Sequence, residues 1–241
     1  MSASRAVLID VSRGIAIALM VIYHFCYDLV LFGWQDFALR QDSFWIGFRV
    51  LIVSLFLLLV GISLQLAHNP NFQLNKFKRR LTFLVISALL VSIGSYFLFH
   101  QRFIYFGILH FIVIASVISV WFRHYHYLNL GLGVIFILIG NYLQHSLFNS
   151  YALNWMGFTT EIPATEDYVP LFPWLGVVFI GLFVGNWLKQ QPKILYCLPA
   201  NKITQPLSRL GQHGLLIYLL HQPLLFGLFM LTHYFTSNFS L

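Results

Sequence analysis

The chain has 241 residues, 59% of them hydrophobic and only 9% charged, with a mean hydropathy of +0.78. No soluble domain can hide that much apolar surface, so the composition excludes a soluble globular protein and calls for a multi-pass membrane protein. The net charge of +7 reads as topology, not as affinity for nucleic acid, because the basic residues sort to one side of the apolar segments.

Seven apolar stretches are each near the ~20 residues a bilayer requires. They cover roughly 7–31, 44–66, 81–99, 103–121, 128–147, 170–188 and 211–235. The first is too long for a signal peptide, carries internal charges and has no small-residue cleavage site before Asp28. Between the second and third lies the basic run Lys76-Phe77-Lys78-Arg79-Arg80, which reads as a topology anchor and also as a magnet for the phosphates of a nucleotide-bearing donor. The longest outer loop, about 148–169, leads into Pro170-Leu171-Phe172-Pro173-Trp174, and its prolines predict a rigid start to the sixth helix. The following loop, 189–210, contains Pro192, Pro199 and Pro206 and is expected to be irregular. In the last stretch Pro223 predicts a kink.

With the N-terminus inside, the cytoplasmic segments hold Arg5, Lys76, Lys78, Arg79, Arg80, Arg123, Lys189, Lys193, Lys202 and Arg209, ten of the fourteen basic residues. Six of the seven acidic residues, all but Asp10, then fall at or near the outer side. The expected fold is therefore one all-α transmembrane domain over residues 1–241, with seven spans, the N-terminus cytoplasmic and the C-terminus outside. Cys26 and Cys197 fall on opposite sides in this topology, which argues against a disulfide, and no Cys spacing of a metal site occurs. There is no internal repeat of the kind that builds inverted-repeat transporters.

The first stretch carries Asp10, Arg13, His24 and Asp28. A charge near the bilayer centre costs about 2.5–3.5 kcal/mol even on the lenient insertion scale, so each is a candidate for function. At about 100° per residue, Arg13 and His24 lie about 20° apart, and Asp10 and Asp28 each lie about 60° from Arg13. They form one polar stripe along the helix. His24 and Asp28, at i,i+4, can meet, and a carboxylate beside an imidazole suits a general base or nucleophile. The alternative is a polar pair that only ties the helix to a neighbour. Asp10 and Arg13, at i,i+3, form either a self-neutralising anchor or a site for a phosphate- or thioester-bearing ligand from the cytoplasm.

Further candidates follow along the chain. His110 lies at about the depth of His24, and the two are expected to share a cavity; an interhelical hydrogen bond is its plainer role. His221 sits beside Pro223, where it either lines a cavity that takes the donor or satisfies the Leu219 carbonyl that the proline frees. Arg49 either pairs with Asp28 or Asp42, or binds the acceptor or a developing oxyanion. Arg102, Tyr105, Asp167 and Trp174 are rim candidates for the acceptor side. His68, His124, His126 and His145 read as loop or interface residues.

Ile9-Asp10-Val11-Ser12-Arg13-Gly14-Ile15-Ala16 with Met20-Val21-Ile22-Tyr23-His24-Phe25-Cys26-Tyr27-Asp28-Leu29 resembles the opening motif of the DUF1624 family, which shares the catalytic-domain signature of heparan-α-glucosaminide N-acetyltransferase. The likeness continues through Leu55–Ser63, Tyr105–His110, Pro170–Gly176 and Leu210–Pro223. The spacing of Arg13 and His24 is also similar to the first-helix signature of the acyltransferase-three family, which acylates envelope glycans. The resemblance implies a transmembrane acyltransferase of a bacterial inner membrane that moves acetyl from cytoplasmic acetyl-CoA to an amino sugar or other envelope acceptor. It further implies a homodimer. The expected catalytic residues are His24, Asp28 and His110; the donor residues Arg13, Asp10, Arg79, Arg80 and His221; the acceptor residues Arg49, Asp167 and Trp174; and no metal is expected. In the long eukaryotic relative the proposed active histidine lies beyond the opening motif, where this chain reads Phe32-Gly33-Trp34-Gln35-Asp36-Phe37 and has none. His24 is therefore argued from its own position. The rival reading is a proton-coupled transporter or flippase that uses the same stripe as a relay.

Overall fold

The computed structural model describes residues 6–67, 72–199 and 201–239, so Arg5 and His68 lie outside the described residues. Among the described residues every regular element is helical. The helices in chain order are α1 Val7–Leu31, α2 Ser43–Ala67, α3 Leu74–Phe99, α4 Ile108–Phe122, α5 His126–Tyr142, α6 Trp174–Gln190, α7 Pro192–Leu195, α8 Thr204–Gln212 and α9 Gly214–Phe239. Short 3-10 turns punctuate the loops after α3 and α5.

Each of the seven apolar stretches holds a helix. Four have the length and apolarity to cross a membrane: Val7–Leu31, Ser43–Ala67, Leu74–Arg102 and Gly214–Thr236. Helices α4, α5 and α6 have 15, 17 and 17 residues. At ~1.5 Å per residue they are about 22–26 Å long, short of a ~30 Å hydrocarbon layer. The expected bounds of these three helices are too generous for physical reasons. The start of α4 waits for a capped junction at Gly107, where the Ile108 N–H donates to Asp167 Oδ2 (2.8 Å). The start of α6 waits until Pro173 stands at its N-cap position. The 189–210 loop departs from expectation more sharply, since it contains α7 and α8. Asn201 starts α8 by accepting from the Ile203 and Thr204 N–H groups (2.9 Å each), and Pro206 falls in the first turn, where a proline is tolerated.

The chain forms two compact units. The first comprises Met1–Phe56 and Lys193–Leu241, and the second Leu57–Pro192. In the first, α1 packs on α8 and α9. A Cβ built on Gly14 would collide with the Leu207 carbonyl, and one on Gly211 with the Asp10 carbonyl, so two glycines let α1 and α8 touch backbone to backbone. Ile17, Met20 and Ile52 form the buried core there, covered by Tyr23, Phe48, Ile217 and Tyr218. In the second unit the same device recurs. Gly61 meets Gly181, and Gly133 meets Gly176, at separations that exclude any side chain.

Candidate active site

The polar stripe on α1 is divided between two partners. At its N-terminal end Arg13 bonds Asp10 Oδ1 (3.1 Å) and the Gly211 carbonyl (3.3 Å). Gln212 Nε2 donates to Asp10 Oδ2 (3.3 Å) and to Ser208 Oγ (3.0 Å). The charge pair thus fastens α1 to α8, in the manner of a neutralised anchor.

The C-terminal end of the stripe faces α9. His24 and His221 meet with ring centroids 4.8 Å apart and planes inclined at 68°. His24 Nδ1 lies 2.9 Å from the Met20 carbonyl. His221 Nδ1 lies 3.1 Å from the Ile217 carbonyl and 2.7 Å from that of Tyr218. A carbonyl only accepts, so each Nδ1 carries a hydrogen, and in the neutral form of either ring the lone pair lies on Nε2. The Nε2 of His221 is buried with no hydrogen-bond partner.

These bonds correct two expectations. His221 does not satisfy the Leu219 carbonyl freed by Pro223; it bonds the carbonyls one and two residues earlier. His24 is oriented by its own backbone, not by Asp28. Helical side chains lean toward the N-terminus, which brings the imidazole over Met20. Asp28, fully buried, takes its hydrogen bond from Gln222 Nε2 (2.8 Å). Sequence reading missed Gln222, although it follows His221 directly.

Three buried atoms here have no partner: Asp28 Oδ2, Gln222 Oε1 and His221 Nε2. All three are acceptors in this arrangement. Buried polar groups are satisfied as a rule, so these acceptors could take hydrogen bonds from a group that brings N–H or O–H donors. Apolar side chains flank it: Ile17 and Met20 toward one end of α1, and toward the other Phe229, packed by Phe25, Phe32 and Trp34. Electrostatic interactions in such surroundings are strengthened.

His110 belongs to the second unit and His24 to the first. Both His110 nitrogens are engaged: Nδ1 accepts from the Gly107 N–H (3.2 Å), which leaves Nε2 to donate to Ser92 Oγ (3.0 Å). Ser92 in turn donates to the Ile104 carbonyl (2.6 Å). Asp167 caps α4, and beside it Arg102 pairs with Glu166 (2.7 Å). Trp174 opens α6, half-buried. Arg49 is exposed on α2 and pairs with neither Asp28 nor Asp42; Asp42 accepts instead from the Phe44 N–H (2.8 Å). Arg79 is exposed with its guanidinium 5.8 Å from the centre of the Phe83 ring, and Arg80 is half-buried.

Residues 5–223 match the family model described as heparan-alpha-glucosaminide N-acetyltransferase, catalytic. The chain belongs to this family. No curated protein matches it, and no solved structure does. The match to the heparan-alpha-glucosaminide N-acetyltransferase catalytic family runs from before Asp10 to the Gln222-Pro223 pair, so it contains both ends of the α1 stripe and the α9 residues that face it. Together with the four long apolar helices, it makes this a membrane protein of an acetyltransferase family.

Proposed function

We propose that the protein moves acetyl from cytoplasmic acetyl-CoA to the amine of an envelope amino sugar, at a site formed by His24, His221, Asp28 and Gln222. The protein would lie in a bacterial inner membrane with seven spans, its N-terminus inside and its C-terminus outside. The observation that carries the reading is the meeting of the His24 ring with the buried His221 ring beside the unpartnered acceptors of Asp28 and Gln222, in a chain of this family.

In this reading Asp28 and Gln222 hold the N–H groups of the acceptor. His24 Nε2 takes a proton as the amine nitrogen attacks the thioester carbonyl. The C–N bond forms, the C–S bond breaks, and the proton passes from the imidazolium to the departing thiolate, giving free CoA and the amide. The adjacent His221 ring offers a second basic nitrogen that stabilises protonated His24. General base catalysis of this kind contributes about 10²–10⁴-fold. His110, with both nitrogens bonded, is assigned to holding α4 against α3, and Arg13 with Asp10 to holding α1 against α8.

The test uses purified protein with labelled acetyl-CoA and a glucosamine acceptor. Free CoA and N-acetylated sugar are expected together, and His24→Ala should abolish both while the protein still folds in the membrane. Undiminished transfer by that variant would exclude His24 as the base. Absence of thioester cleavage, with pH-driven solute uptake into vesicles, would instead establish the transporter reading.

A further inference from the structure

We infer that the open cleft beside α8 and the start of α9 binds the phosphate-bearing end of the acyl donor, a nucleotide-carrying thioester; this rests on the acetyl-transfer reading above. The cleft has a volume of about 600 Å³, with Lys202, Gln205, Arg209 and His213 on its polar side and Leu210 and Ile217 on its apolar side. That size is within the ~300–1,000 Å³ of small-molecule sites. No carboxylate lines it, and Lys202 and Arg209 both reach solvent. Phosphate oxygens are the natural partners of a lysine and an arginine that line one cleft. The apolar wall suits a base or the uncharged part of an arm.

Two further features make the cleft a place for this donor and not merely a charged surface. Arg209 stands on a fixed element, because α8 is locked to α1 by the Gly14 and Gly211 contacts and by the Arg13, Asp10 and Gln212 bonds, and Lys202 lies in the turn just before that helix. The floor of the cleft also leads to the histidine pair. The His213 N–H bonds the Arg209 carbonyl (3.2 Å), the Ile217 N–H bonds the His213 carbonyl (3.0 Å), and His221 bonds the Ile217 carbonyl (3.1 Å). Ile217 is thus one helical turn, roughly 6 Å, from His221. A donor with its anionic end on Lys202 and Arg209 extends its arm along α9 toward the reacting groups. Arg13 is already committed to Asp10 and Gly211, so it leaves this role to α8.

The experiment is calorimetric titration of coenzyme A into the full chain in zwitterionic nanodiscs, for the native protein and for the double variant Lys202→Gln, Arg209→Gln. Both residues are exposed, and size-exclusion profiles check that the variant folds. The variant should bind coenzyme A about tenfold more weakly, as expected for the loss of two solvent-facing charge-assisted contacts, while pantetheine, which has no phosphate, binds both proteins equally. Arg209→Lys should recover part of the affinity. Equal coenzyme A affinity in native protein and variant overturns the inference and leaves the acetyl-transfer reading standing. No binding by the native protein overturns both. If the variant differs only in nanodiscs containing phosphatidylglycerol, by retaining less of that lipid, the cleft holds a lipid headgroup and the inference fails.

Discussion

The imidazole rings of His24 on α1 and His221 on α9 meet edge to face, 4.8 Å apart, although 197 positions separate them in the chain. Each Nδ1 is tied to its own helix backbone, so the free nitrogen on each ring is Nε2. Replacing His221 with Ala should lower kcat by about 10²-fold or more, since it removes half of a paired base. His221→Gln should fold equally well and stay slow. Turnover by either variant within a factor of two of native would remove His221 from the reaction.

Asp28 and Gln222 form the second link between these helices, at 2.8 Å in a buried setting. Asp28→Ala strands the Gln222 amide and should cost about 1–3 kcal/mol of stability. Asp28→Asn keeps an oxygen for Gln222 but replaces one acceptor with a donor. It should raise KM for the amine more than it lowers kcat. A kinetic comparison of the two variants decides this, and an unchanged KM in Asp28→Asn would mean that the carboxylate does not touch the acceptor.

Gly211 and Gly14 predict a packing defect. No side chain fits where α8 crosses α1, because the backbone carbonyls of Asp10 and Leu207 occupy the space. Gly211→Val should force the helices apart at a cost of about 1–3 kcal/mol or more, seen as a lower thermal midpoint in detergent. Gly47, with no atom within 4 Å of an added Cβ, is the matched control: Gly47→Ala should leave the midpoint unchanged or raise it slightly.

His110 separates structure from chemistry. It bonds Gly107 and Ser92, so His110→Ala should destabilise the α3–α4 junction by about 1–3 kcal/mol. Transfer per folded molecule, measured below the lowered midpoint, should remain within a few-fold of native. A loss matching that of His24→Ala would return His110 to the catalytic machinery.

A helix in each of the seven apolar stretches and the polar stripe on α1 were legible in the sequence because both depend on local spacing. Apolar runs give the helices, and a fixed turn of about 100° per residue places Asp10, Arg13, His24 and Asp28 on one side of α1. Resemblance across motifs from Ile9 to Pro223 supplied the family, which the match over residues 5–223 bears out. Helix ends were less legible. The late start of α4 depends on Asp167, far along the chain, and α8 arises where three prolines suggested irregular structure, with Asn201 accepting from the Ile203 and Thr204 N–H groups at its start.

The partner of each polar group was a tertiary decision. Spacing permitted a His24–Asp28 pair, but a side chain has only so many hydrogen bonds to give, and the Met20 carbonyl and Gln222 amide took them. Nothing local to α1 says that its N-terminal charges will be held by α8 and its C-terminal ones by α9. That division comes from the glycine contacts that bring α8 against Arg13 and from the α9 turn that sets His221 and Gln222 opposite His24 and Asp28. Sequence determined which residues are too costly to be idle in a membrane. Only the packing of distant helices decided which of them are satisfied and which keep a buried acceptor without a partner.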